Sequence, residues 1–157
     1  MLGSGLCGKA AADAVRRRAR TLEGLTEGIR VLRIHMMGLL EPVQFALERS
    51  DCPLLALVAA GVKDGRSAHE AWGELRGRTA RRGGPVDALV EEDLQLLDRL
   101  FQRLGQSGRE EQEALLSATL QSLELRLASA RQKAGEADRL YLSLGLLIGL
   151  MLALIVM

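Results

Sequence analysis

Residues 140–157, LYLSLGLLIGLMLALIVM, constrain this chain more than any other stretch, because they hold no charged residue at all. At the helical rise of about 1.5 Å per residue, such a run extends about 27 Å, close to the hydrocarbon thickness of a bilayer. A helix satisfies its backbone polar groups internally, as lipid requires. A buried core helix is the competing reading. It fits less well, since core helices rarely run so long without a polar position. The stretch is therefore read as a single C-terminal transmembrane helix. Arg131, Lys133 and Arg139 lie just before it and nothing charged follows, which by the positive-inside tendency puts the preceding domain in the cytoplasm.

What remains is enough for one domain with one modest core. Aromatic residues make up only 3% of the chain, while Leu, Ala, Arg and Glu abound, a bias toward helices rather than sheets. The formal net charge of +1 supplies no electrostatic case for nucleic acid. Cys7 and Cys52 stand alone without ligand-type spacing and read as free thiols in a reducing compartment.

From about Ala10 a long helix is expected, with Val15, Leu22, Leu25, Ile29, Leu32, Met36 and Leu39 on one face. Gly24 and Gly28 should weaken it by up to ~1 kcal/mol each. Pro42 breaks the run, and a short helix over residues 43–49 follows. Asp51 reads as the N-cap of a third helix that admits Pro53 in its first turn and closes near Gly65. Ser67 and Glu70 form a capping box for a fourth helix, whose Trp72 is expected to anchor the core. The polar, basic stretch 76–85, RGRTARRGGP, reads as the main loop.

A fifth helix is expected over residues 86–104, with Glu91, Glu92 and Asp93 favourably placed in its first turns and Gly105 as terminator. Ser107 and Glu110 suggest a second capping box, opening the longest helix. There Leu116, Leu120, Leu123, Leu127, Ala130, Ala134 and Ala137 keep a four-three spacing, and Tyr141, Leu144, Ile148 and Met151 continue its phase. The first helix is the natural partner of this seam; a coiled coil between copies, and hence a homo-oligomer, is the alternative.

Residues able to carry chemistry are few. The stretch 3–9, GSGLCGK, imitates a phosphate-binding loop, but only two residues precede it, too few for the strand such a loop needs, and Ala10 stands where a hydroxyl is required. His35 and His69 lack metal-ligand neighbours. The reading is a non-enzyme without cofactor or metal. Candidate contact residues are instead the basic cluster Arg16, Arg17, Arg18 and Arg20, readable as a lipid-headgroup contact or as a solvated face. Others are Arg78, Arg81 and Arg82 of the loop with the acidic turn of helix five, and a small-residue ridge of Gly145, Gly149 and Ala153 suited to helix packing in lipid.

Four stretches together resemble the stage III sporulation protein AB family of endospore formers. They are residues 25–47 with Pro42 in the turn, 65–72 (GRSAHEAW), 104–112 (LGQSGREEQ) and 141–150 (YLSLGLLIGL). Residues 1–14, short, apolar and glycine-rich, look like the tail of the hydrophobic segment with which family members usually begin. The resemblance implies a compact α-helical domain similar to the cytoplasmic domains of the type II secretion inner-membrane platform protein. It also implies membership of a channel complex between mother cell and forespore, with a secretion-type ATPase as natural cytoplasmic partner.

The expectation is thus all-α: a compact bundle of about six helices over residues 15–138, followed by a membrane anchor at 139–157. Its localisation would be the cell membrane, with the domain on the mother-cell side. A role from another class is a tail-anchored helical regulator that captures an amphipathic partner helix in a groove lined by Trp72.

Overall fold

A computed structural model describes the backbone of residues 3–78, 84 and 86–156, with side chains from residue 10 onward save 137, 138 and most positions beyond 140. Among the described residues the chain is all-helical, without a strand. Its elements are α1 (Gly3–Arg33), a π-helical turn (Ile34–Gly38), α2 (Val43–Glu48), α3 (Pro53–Lys63), α4 (Ala68–Arg78), α5 (Glu91–Arg103) and α6 (Arg109–Val156).

The frame is an antiparallel pair of the two longest helices. Leu22, Leu25, Ile29 and Leu32 of α1 are fully shielded from solvent, as are Leu116, Leu123 and Ala130 of α6, with Leu120 and Leu127 nearly so. These are the two apolar faces expected from spacing, and they close on each other within one chain. Charged pairs along the edges set direction and register: Arg33 with Glu113, Arg30 with Glu124 at 3.0 Å, and Glu23 with Arg131 at 2.5 Å. As residue number falls on α1 it rises on α6. The shorter helices α2 to α5 pack successively against one another and return the chain to α6.

Local chemistry explains most boundaries. Ser67 and Glu70 cap α4 reciprocally, with Ser67 N–H donating to Glu70 Oε2 at 2.8 Å and Glu70 N–H to Ser67 Oγ at 3.2 Å. Gly65, at φ +88, ends α3 in a Schellman arrangement: its N–H reaches Val62 O and that of Arg66 reaches Gly61 O.

Several boundaries differ from those expected. α1 begins at Gly3 rather than near Ala10, so the glycine-rich stretch 3–9 forms helical turns and not a loop. Asp51 takes φ +53 in the turn after α2, a conformation a short polar side chain tolerates, and Cys52 is the N-cap of α3. α5 starts at Glu91, behind a turn at Val86–Leu89. Ser107 caps nothing through Glu110. Gln112 reaches back instead, donating to Ser107 Oγ at 2.6 Å and Arg103 O at 2.8 Å and accepting from Gly105 N–H at 3.1 Å. Arg76 and Arg78 belong to α4, and residues 79–83 and 85 of the expected loop lie outside the described ones.

α6 continues as one helix to Val156, but most side chains of the apolar stretch, including Gly145, Gly149 and Ala153, lie outside the described residues. Among the described residues no helix is long and apolar enough to cross a membrane.

Candidate interaction surfaces

Among the described residues the deepest polar group is Asp93, three residues into α5 and inaccessible to solvent. Its carboxylate receives Arg18 Nε at 2.8 Å and Nη2 at 3.0 Å from α1, Arg126 Nη1 at 3.1 Å from α6, and Val90 N–H at 3.2 Å. Burial alone would push this carboxyl up. The Arg18 hydrogen bonds, the Val90 N–H, the Arg18 charge and the Arg126 bond together outweigh burial and hold it below the usual carboxylate range. The hydrogen bonds to Asp93, against the effect of burial, in turn raise Arg18, helped by the charges of Asp93 and Glu92. One carboxylate thereby ties three helices together. Sequence had placed Asp93 only as one of three acids near a helix start, and Arg18 only in a basic run.

A second network surrounds Trp72. The ring is fully buried and stacks on Phe101, with centroids 5.1 Å apart and planes at 29°. Its Nε1 donates to Asp98 at 2.5 Å. Asp98 also pairs with Arg76, which in turn reaches Glu91 at 2.7 Å. Trp72 is thus a core anchor, as expected, and does not line a groove. The groove-lining role given to it in the regulator reading is corrected by its burial.

The remaining predicted contact residues divide by position. Arg17 and Arg20 are exposed on α1. Arg16, also exposed, lies 3.7 Å from Asp13, and Arg18 is drawn inward to Asp93. Arg78 is exposed and bonds Glu74 at 2.5 Å, while Arg81 and Arg82 lie outside the described residues. In the acidic turn, Glu91 is engaged by Arg76, Asp93 is buried and Glu92 faces a groove.

That groove, of about 580 Å³, runs between α1, α5 and α6 and is walled by Arg18, Glu92, Arg126, Lys133 and the apolar Val90 and Leu125. Leu125 is 70% exposed. Toward the far end of the α1–α6 pair Ile34, Leu39, Leu40 and Phe45 are each large, apolar and exposed. The exposure of Leu39 follows from the π-helical turn. There Leu39 N–H bonds Ile34 O, the phase of α1 slips by one residue, and Leu40 enters the left-handed region at φ +56. Leu39, expected on the buried face, is turned outward as a result. Arg109 of α6 holds this turn through Met37 O at 2.7 Å.

Among the described residues there is no group of three or more His, Cys, Asp or Glu side chains able to hold a metal ion. The described surface carries a polar groove, exposed apolar residues near the turn after α1 and a basic run on α1.

Set against known families, the sequence matches the family described as stage III sporulation protein AB over residues 1–157, its whole length. No curated protein and no solved structure matches it.

Proposed function

Because the chain belongs to the stage III sporulation protein AB family, and so has a role in stage III of sporulation, we propose that it is a component of the channel complex joining mother cell and forespore. It acts there without catalysis, as a docking domain held at the membrane by residues 140–157. Its partners are other channel proteins, a secretion-type ATPase among them on the cytoplasmic side. The observation that supports this reading is the continuity of α6, which supplies the core with Leu116, Leu123 and Ala130 and runs on into the apolar stretch without leaving the helix. A domain whose central helix is also its tether presents its far end to a partner at a fixed place. The apolar tip at Ile34, Leu39, Leu40 and Phe45 is the surface so presented.

The test is a deletion in the native organism, scored by microscopy for forespores arrested after engulfment and complemented with the whole protein or with residues 1–139. Arrest relieved only by the whole protein supports an essential membrane-held component. Normal spores from the deletion strain would overturn the reading.

A further inference from the structure

The geometry points to a collar of Arg17 and Arg20 on α1 with Lys133 and Arg139 on α6, which holds anionic phospholipid headgroups where the domain meets the bilayer. It rests on the reading of residues 140–157 as a membrane anchor. In the sequence the two groups of cations are more than a hundred positions apart; the antiparallel pairing of α1 and α6 puts them at one level.

The level follows from the Glu23–Arg131 pair. Moving from it toward the start of α1 is moving toward the apolar end of α6. At 1.5 Å per residue, Arg20 lies about 4.5 Å and Arg17 about 9 Å beyond that pair. On α6, Lys133 lies about 3 Å, Arg139 about 12 Å and Leu140 about 13.5 Å beyond it. All four cations therefore fall within about 10 Å of the level where the apolar stretch begins, roughly one screening length at moderate salt. All four are exposed, and none forms an ion pair among the described residues. Arg18 and Arg131 are taken out of this surface by Asp93 and Glu23.

Among the carboxylates nearby, the side chain of Asp138 lies outside the described residues. Asp13 lies against Arg16, Glu136 accepts from Gln132 Nε2 at 3.0 Å, and Glu92 faces Lys133 across the groove. Arg17, Arg20, Lys133 and Arg139 remain as exposed cations near this level. Multivalent, planar donors beside a lipid-facing helix suit phosphate headgroups.

The experiment uses the whole protein, reconstituted into vesicles of phosphatidylcholine alone or with 30% phosphatidylglycerol, and the double variant Arg17→Gln/Arg20→Gln. Flotation in 0.5 M salt first reads the anchor. Amide exchange in the floated protein then reads the collar. The expected result is flotation with both lipids, with exchange of residues 14–22 slowed roughly fivefold or more by phosphatidylglycerol, about what one headgroup-bound cation is worth. The slowing should vanish in the double variant and in high salt, while exchange in α3 stays unchanged as a check on folding. Flotation with equal exchange in both lipids, or slowing that survives in the variant, overturns the collar and leaves the anchor standing. Failure to float with either lipid overturns both.

Discussion

Arg18 of α1 meets Asp93 of α5 side-on, two guanidinium nitrogens at 2.8 and 3.0 Å from two carboxylate oxygens that solvent does not reach. Because Arg126 of α6 shares the same carboxylate, removing its charge strands two arginines at once. Asp93→Asn should destabilise the fold by about 2–4 kcal/mol, toward the cost of breaking a buried pair and tempered by the partial exposure of both arginines. Arg126→Gln, which leaves the bidentate contact intact, should cost about 1 kcal/mol. Urea unfolding in detergent checks both. A variant Asp93→Asn as stable as the wild type would remove the node from the account.

The same carboxylate sets an acid dependence of known sign. Its folded pKa is lower than its unfolded value of about 3.9. The unfolded chain thus binds its proton first, and the stabilisation is present in full above about pH 4 and lost as pH falls through the lower folded value. Between pH 5 and pH 2 the wild type should lose stability more steeply than Asp93→Asn. Parallel curves would show the carboxylate to be unperturbed.

Two glycines of α1, alike in sequence, should answer oppositely to alanine. A Cβ at Gly24 meets nothing within 4 Å, so Gly24→Ala should stabilise by about 0.5–1 kcal/mol through helix propensity. At Gly28 it would lie 2.6 Å from Cys52 Cβ and 2.9 Å from Leu55 Cδ1. Gly28→Ala should therefore destabilise by about 1–3 kcal/mol as α1 and α3 are forced apart. Thermal midpoints moving in the same direction for both would contradict the close approach.

Trp72, sealed against Phe101 and bonded to Asp98, should emit at short wavelength in the native protein and shift to the red on unfolding. Trp72→Phe keeps an aromatic ring but loses the indole donor and some volume, at a cost of about 1–3 kcal/mol. A red-shifted native emission would place the ring at the surface.

Features that depend on neighbours in sequence were legible beforehand. The apolar faces of α1 and α6, the Ser67–Glu70 cap, the stops at Gly65 and Gly105 and the burial of Trp72 all follow from spacing or from one residue's backbone preference. What escaped depends on distant partners. Asp93 looked like one more acid favouring a helix dipole, since nothing local marks which of Glu91, Glu92 and Asp93 turns inward to Arg18. Asp51 was equally able to cap a helix or to enter the left-handed region, and the turn between α2 and α3 required the latter. The π-helical turn left no local signal, so the outward turn of Leu39 and Leu40 was not foreseen. The basic cluster was visible, but which arginines face outward was decided by the packing of α5.

The unbroken course of α6 also makes it a ruler. From Arg109, which grips the carbonyl of Met37 at the tip, to Leu140, where the apolar stretch opens, the helical rise amounts to about 46 Å. No joint intervenes to let that height vary. Inserting one full turn would raise the tip by about 5 Å, whereas inserting two residues would also swing it roughly halfway around the axis. Azimuth and altitude of the tip relative to the apolar stretch are thus written into the residue count of one helix.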